Sequence, residues 1–283
     1  MRLCQRTSPA PFGCRLAVAA LAAIVTVVGF LVTSAGARAG VRYPNSIAGL
    51  GDSITRAADV CCWYGDHPGQ SWSTGGAGWD GVASHYERLS VLHPKIAGHN
   101  YNDAVSGAKA RDLPGQAAKA VGQGAQYVTV LIGANDLCTS SVSTMTSVAD
   151  FTASVQSALT TLRQGLPNAR IFVSSIPNIY QLWSVLHTNL FAQAVWAVAG
   201  ICQSMLSSST TDTQRRQVVA RELAFNTVLA DACQSVANCR WDNNATYNYK
   251  FAASQISTLD YFHPSLSGQA ALASVTWNAS WWA

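Results

Sequence analysis

The stretch Ser46-Ile-Ala-Gly-Leu-Gly-Asp-Ser-Ile-Thr55 is an apolar run that ends in a turn-forming group, Gly51-Asp52-Ser53. Short apolar runs bounded by turn residues are characteristic of buried parallel strands. Two familiar strand-to-turn motifs do not fit it. A dinucleotide-binding turn needs a third glycine at the sixth place, where Gly49-Leu50-Gly51-Asp52-Ser53-Ile54 has Ile. The nucleophile elbow of the α/β-hydrolases needs Gly-x-Ser-x-Gly, and Gly69-Gln-Ser-Trp-Ser73 ends in Ser. What remains is a serine where a strand gives way to the next segment.

Outward from that serine, similar runs occur at Tyr127 to Ile132 and Ile171 to Ser175. Helical periodicity is expected at Gly78 to Leu89, Leu113 to Val121, Val148 to Gln164, Gln214 to Cys233 and Ser267 to Trp277. Strands alternating with helices indicate an α/β, doubly wound parallel sheet, in which ligands bind beyond the carboxyl ends of the strands. The apolar stretch 179–206 is expected to pack as helices or to form part of a cap over a cleft. Ser207 to Thr213 is the best loop candidate.

The first 39 residues have the layout of a secretory signal. Arg2, Arg6 and Arg15 precede an apolar run from Leu16 to Val32 and a small-x-small site, Ala37-Arg38-Ala39. The expected division is a signal peptide over 1–39 and one domain over 40–283, which is exported to the extracellular space. The net charge of +4 arises from only 11% charged residues, with no basic block to serve as a nucleic-acid footprint. Trp72, Trp79, Trp183 and Trp196 lie in segments able to line an apolar cleft, although packing is the commoner role of such residues. Past the signal stand Cys61, Cys62, Cys138, Cys202, Cys233 and Cys239, an even number that suggests disulfides in an oxidising compartment. Cys233 with Cys239 is the easiest bridge to close, and Cys138 with Cys202 comes next. Cys61 with Cys62 is disfavoured, because adjacent Cα atoms lie about 3.8 Å apart, closer than disulfides usually hold them. Metal binding has no support from Cys-x-x-Cys or His-x-x-x-His spacing.

The residues after the strands are Gly51-Asp52-Ser53, Ser106-Gly107 and Gly133-Ala134-Asn135-Asp136, followed near the C-terminus by Asp260-Tyr-Phe-His263-Pro264. Singly, each is a common turn sequence. Together and in this order they resemble the SGNH hydrolase superfamily, also called GDSL esterases and lipases, over almost all of residues 40–283. The surrounding text looks most like the secreted lipases and esterases of actinobacteria. The resemblance implies a three-layer α/β/α domain with a flavodoxin-like central parallel sheet. It also implies a nucleophilic Ser53, a general base His263, an orienting Asp260, and an oxyanion hole from Ser53, Gly107 and Asn135.

Chemistry gives each residue a reason. A serine hydroxyl is a poor nucleophile near neutral pH and needs a base within hydrogen-bonding reach. An aspartate on the far nitrogen fixes the tautomer of the base, a role that some family members are thought to give to a backbone carbonyl. The oxyanion needs preorganised donors. Asp52 is expected to brace its turn, and Asp136 either to cap a helix or to touch the site. His67, His85, His93, His99 and His187 are expected to be structural, with His67 the first exception to consider. The expected function is hydrolysis of carboxylic esters of lipid or other acyl substrates through an acyl-enzyme. The expectation includes no cofactor or metal, no nucleic-acid partner, no stable membrane insertion after signal cleavage, and a monomer. A carbohydrate or peptidoglycan O-acetyl esterase is the rival enzyme, and a non-catalytic secreted carbohydrate-binding protein is the rival of another class.

Overall fold

Five strands alternate with helices along the chain in the computed structural model, which describes residues 42–283. The expected signal segment therefore lies outside the described residues. In order, the elements are β1 (Ile47–Gly51), α1 (His85–Leu92), β2 (Asn100–Asn102), α2 (Leu113–Gly122), β3 (Tyr127–Leu131), α3 (Ala134–Leu137), α4 (Val148–Gly165) and β4 (Arg170–Val173). They continue through α5 (Ile179–Leu186), α6 (Leu190–Val198), α7 (Gln203–Leu206), α8 (Asp212–Gln234), β5 (Cys239–Trp241), α9 (Ala245–Asn248) and α10 (Leu266–Ala279). All strand pairs are parallel, in the order β2-β1-β3-β4-β5. The sheet bears out the expected α/β fold. The chain leaves β1 for β2 on one side and later returns to β3 on the other, so the topological switch lies between β1 and β3, where such folds bind ligands.

Side chains alternate across each strand, and the central strands β1, β3 and β4 are buried on both faces. Ile47, Tyr127 and Phe172 pack with Leu89 of α1 and Trp277 of α10. Ala48, Leu50, Val128, Val130, Ile171 and Val173 share a second core with residues of α2, α4 and α8. Gly51 is required at the end of β1: a Cβ there would lie 2.2 Å from the Leu131 carbonyl oxygen, and its φ of +148° is one that side chains rarely adopt. No helix among the described residues is long and apolar enough to cross a membrane.

Several boundaries differ from the sequence expectation. The segment 78–84 is not helical, because Gly78, Gly81 and Ala83 have φ of +72°, +78° and +48°. The helix starts instead at His85, where Ser84 and Glu87 form a capping box. The stretch 179–206 is three packed helices, with Trp196 buried in the core. Trp72 is also fully buried, whereas Trp79 is exposed. Disulfides join Cys138 to Cys202 and Cys233 to Cys239, while Cys61 and Cys62 are free. The sulfurs of that last pair nevertheless lie 2.8 Å apart, since Cys62 has a left-handed φ of +68°.

Candidate active site

Ser53 follows β1 in a tight turn rather than a helix, where Arg56 N–H donates to the Asp52 carbonyl and Ala58 N–H to that of Ser53. Asp52 braces this turn as expected, because its Oδ1 accepts from Ile54 N–H at 2.9 Å. His263 comes from the segment between β5 and α10, and its Nε2 lies 2.7 Å from Ser53 Oγ. Its Nδ1 lies 2.5 Å from Asp260 Oδ2. Asp260 reaches three residues forward because its Oδ1 accepts from Phe262 and His263 N–H, at 2.9 and 3.1 Å, folding the segment into a hook. Tyr261, at the bend, takes φ +56°, and its carbonyl accepts from Trp196 Nε1 of α6 at 3.0 Å. The apolar stretch 179–206 thus anchors the His263 segment.

Electrostatics suit this arrangement. Burial alone would lower the pKa of His263, but the hydrogen bond to Asp260 and the carboxylates of Asp260, Asp59 and Asp52 hold it above the ordinary histidine value. Burial pushes Asp260 upward, and its bonds to His263 and to two backbone N–H groups bring it below the usual range. Asp52 is completely buried, and that burial raises its carboxyl to about 7.

The other two blocks converge at the same strand ends. Val105 N–H donates to the Gly51 carbonyl at 3.1 Å, tying the Gly107 turn to the end of β1. Asn135, on α3, donates from Nδ2 to the Ala108 carbonyl at 3.0 Å, which leaves its second amide hydrogen free to point elsewhere. Asp136 accepts from Ala110 N–H at 2.9 Å, so it clasps the two blocks together rather than capping a helix. Among the described residues, neither Ser53 N–H nor Gly107 N–H donates to a backbone carbonyl. Steric room does not explain Gly107: a Cβ there would meet nothing, and φ of +83° is what calls for glycine.

His67 is structural, with Nε2 3.0 Å from the Trp63 carbonyl. Sequence reasoning missed Asp59, whose Oδ2 lies 3.9 Å from His263 Nδ1. Its only signal was its place in the turn after Ser53. Also missed was a small cavity of about 60 Å³ lined by Ile54, Ala134, Ile179, Leu182, Phe262 and Pro264 among others. Four of these residues are chain neighbours of Ser53, Asn135 and His263.

The fold and the four blocks define a hydrolase of the SGNH type. The chain belongs to the GDSL-like Lipase/Acylhydrolase family, whose model matches residues 47–275, and with it to the carboxylic ester hydrolases. It is 27% identical over 207 residues to the membrane-associated phospholipase B1 of Mus musculus, covering 62% of this chain and 14% of that protein. The chain therefore spans only a small part of that relative. Among solved structures it resembles TesA, with a TM-score of 0.50 at 16% identity, over 83% of this chain and 97% of that one. It also resembles phospholipase A1 from Streptomyces albidoflavus NA297, with a TM-score of 0.44 at 14% identity, over 83% and 99%. At such identities the structural likeness concerns the fold.

Proposed function

We propose that this chain is a secreted serine ester hydrolase that cleaves carboxylic esters with hydrophobic acyl groups through an acyl-enzyme on Ser53. The contact of Ser53 Oγ with His263 Nε2 at 2.7 Å, backed by Asp260 on Nδ1, carries the reading. His263 takes the serine proton as Oγ attacks the ester carbonyl, and Asp260 holds the resulting imidazolium. The oxyanion is received by the N–H groups of Ser53 and Gly107 and the free amide hydrogen of Asn135. Collapse expels the alcohol, protonated by His263, and leaves Ser53 acylated. Water then attacks by the same route, with His263 again as base, and releases the acid.

The cavity beside Ile54 supports a hydrophobic acyl group, since apolar side chains such as Ile179, Leu182, Phe251 and Phe262 line it next to the reacting residues. Two disulfides fit an oxidising compartment and support export. A series of p-nitrophenyl esters from acetate to palmitate, run beside acetylated xylan, tests the reading. Faster turnover of an acyl chain longer than acetate is the expected result. Deacetylation of xylan with no turnover of longer acyl esters would replace it with a carbohydrate esterase.

A further inference from the structure

Asp59 belongs to none of the four blocks, yet its backbone and one carboxylate oxygen are tied down. Its N–H donates to the Gly65 carbonyl at 2.8 Å, and its carbonyl accepts from Ser257 Oγ. Its Oδ1 accepts from Gly65 N–H at 2.6 Å. These bonds hold a non-glycine residue at φ +52°, a conformation that costs energy and that concentrates at functional sites. The same Ser257 that grips Asp59 donates its N–H to the His263 carbonyl at 2.8 Å, and Tyr64 OH reaches the Leu259 carbonyl at 3.0 Å. The turn after Ser53 and the segment bearing His263 are therefore locked together. The oxygen left over, Oδ2, lies 3.9 Å from His263 Nδ1, on the side already occupied by Asp260.

We propose that Asp59 is a positioning residue, a second carboxylate that flanks Nδ1 of His263 and shares with Asp260 the charge that appears when Ser53 gives up its proton. The proposal rests on the reading of Ser53 and His263 given above. The groups facing His263 are Asp260 from its own segment and Asp59 and Asp52 from the turn after β1. Those facing Asp59 are Asp260 and His263. An opposite charge at this range favours the imidazolium, so Asp59 increases the basicity of His263 without receiving its proton. Burial raises the carboxyl of Asp59, and the neighbouring charge of Asp260 and the contact with its carboxyl add to this.

The test titrates the His263 ring by NMR in the full-length Ser53→Ala protein, with and without Asp59→Asn, a change that keeps an acceptor for Gly65 N–H. The expected result is a fall of about one pH unit in the midpoint of His263. An unchanged midpoint overturns the proposal. A second measurement needs no substitution at 59: the His263 signals of the Ser53→Ala protein should show a smaller second step on the acid side as Asp59 takes up its proton. A single step there also overturns it. In the enzyme with Ser53 intact, Asp59→Asn should lower kcat about tenfold with little change in KM, and move the acid limb of kcat/KM downward. An equal rise in KM with kcat unchanged would make Asp59 a substrate contact instead. Labelling of Ser53 by an organophosphonate separates the two readings. If Ser53 does not react, the assignment of the nucleophile falls, and the ring titration still decides the role of Asp59.

Discussion

Two largely buried histidines sit at opposite ends of the sheet, and each has a partner on both ring nitrogens. His85, near the start of β3, lies 2.9 Å from Tyr127 Oη through Nδ1 and 2.9 Å from Thr276 Oγ1 through Nε2. His263, at the carboxyl ends, lies against a serine hydroxyl and a carboxylate. The environments drive the rings in opposite directions. Burial among Trp72, Phe172 and Trp277, with Arg88 adding to the effect, lowers His85 to about 3. Carboxylates outweigh the same burial at His263 and raise it. A hydroxyl on each nitrogen leaves a neutral strut, and exchanging one hydroxyl for a carboxylate raises the basicity of the ring. Burial by itself separates neither.

The hardest way to break this comparison is at Ser53. Ser53→Ala should abolish ester hydrolysis, a loss of roughly 10⁴ to 10⁶ in kcat, while circular dichroism and melting temperature stay near those of the parent. His263→Ala should match it. The double variant should be little worse than either single one, because the residues act as a unit. Multiplying losses would show that His263 is not the base for Ser53.

Asn135 should give the next largest effect. If its amide hydrogen stabilises charge that exists only in the transition state, as proposed above, Asn135→Ala should reduce kcat by about 10² to 10³ with KM little changed. Steady-state kinetics on purified, folded protein checks this. An early-melting variant with full kcat per folded molecule would make Asn135 a turn residue that only supports Ala108.

The carboxyl-end region was largely legible in sequence, and the amino-end region was not. Ser53, Gly107, Asn135 and His263 stand in short blocks whose order along the chain already implies a shared crevice. The strands β1, β3 and β4 were visible because both their faces are buried, which makes them continuously apolar. Strands β2 and β5, at the two edges, have three residues each, among them Asn100, Asn102 and Arg240, and show no apolar run. His85 gave no signal because its partners Tyr127 and Thr276 are distant in sequence. Asp59 had little more, its place in the turn after Ser53, because its contact with His263 is a product of the tertiary fold.

Sharpening the other half of the comparison requires His85→Gln. Loss of packing and of a buried hydrogen bond should cost about 2 to 4 kcal/mol at pH 7, with kcat per folded molecule unchanged. The pH dependence follows from the direction of the shift. The folded ring resists protonation down to about 3, while the unfolded chain takes up a proton near 6.5, so the parent loses stability as pH falls through that window. The stability gap between parent and variant should therefore narrow from pH 7 to pH 4 in denaturant titrations. A constant gap would show that His85 is not held neutral.

The smallest expected effect belongs to Asp52, which shares His263's region but, like His85, has no charged group in hydrogen-bond contact. Its Oδ1 accepts from Ile54 N–H, and its Oδ2 is buried without a partner. Desolvation disfavours the charged form, which raises the folded carboxyl from 3.8 to about 7. In the unfolded chain the group ionises near its ordinary value. The parent's stability should therefore be full below about pH 4 and decline as pH rises toward 7, because only the unfolded chain gives up the proton easily. Asp52→Asn keeps an acceptor for Ile54 and cannot ionise. The difference in melting temperature between variant and parent should then move in the variant's favour by about 5 °C between pH 5 and pH 8. That drift, rather than the absolute melting temperature, isolates the carboxyl, because any packing cost of the new amide is the same at both pH values. A flat difference would mean that Asp52 stays ionised within the fold, kept so by the positive charge of His263, and the two residues would then titrate as a pair.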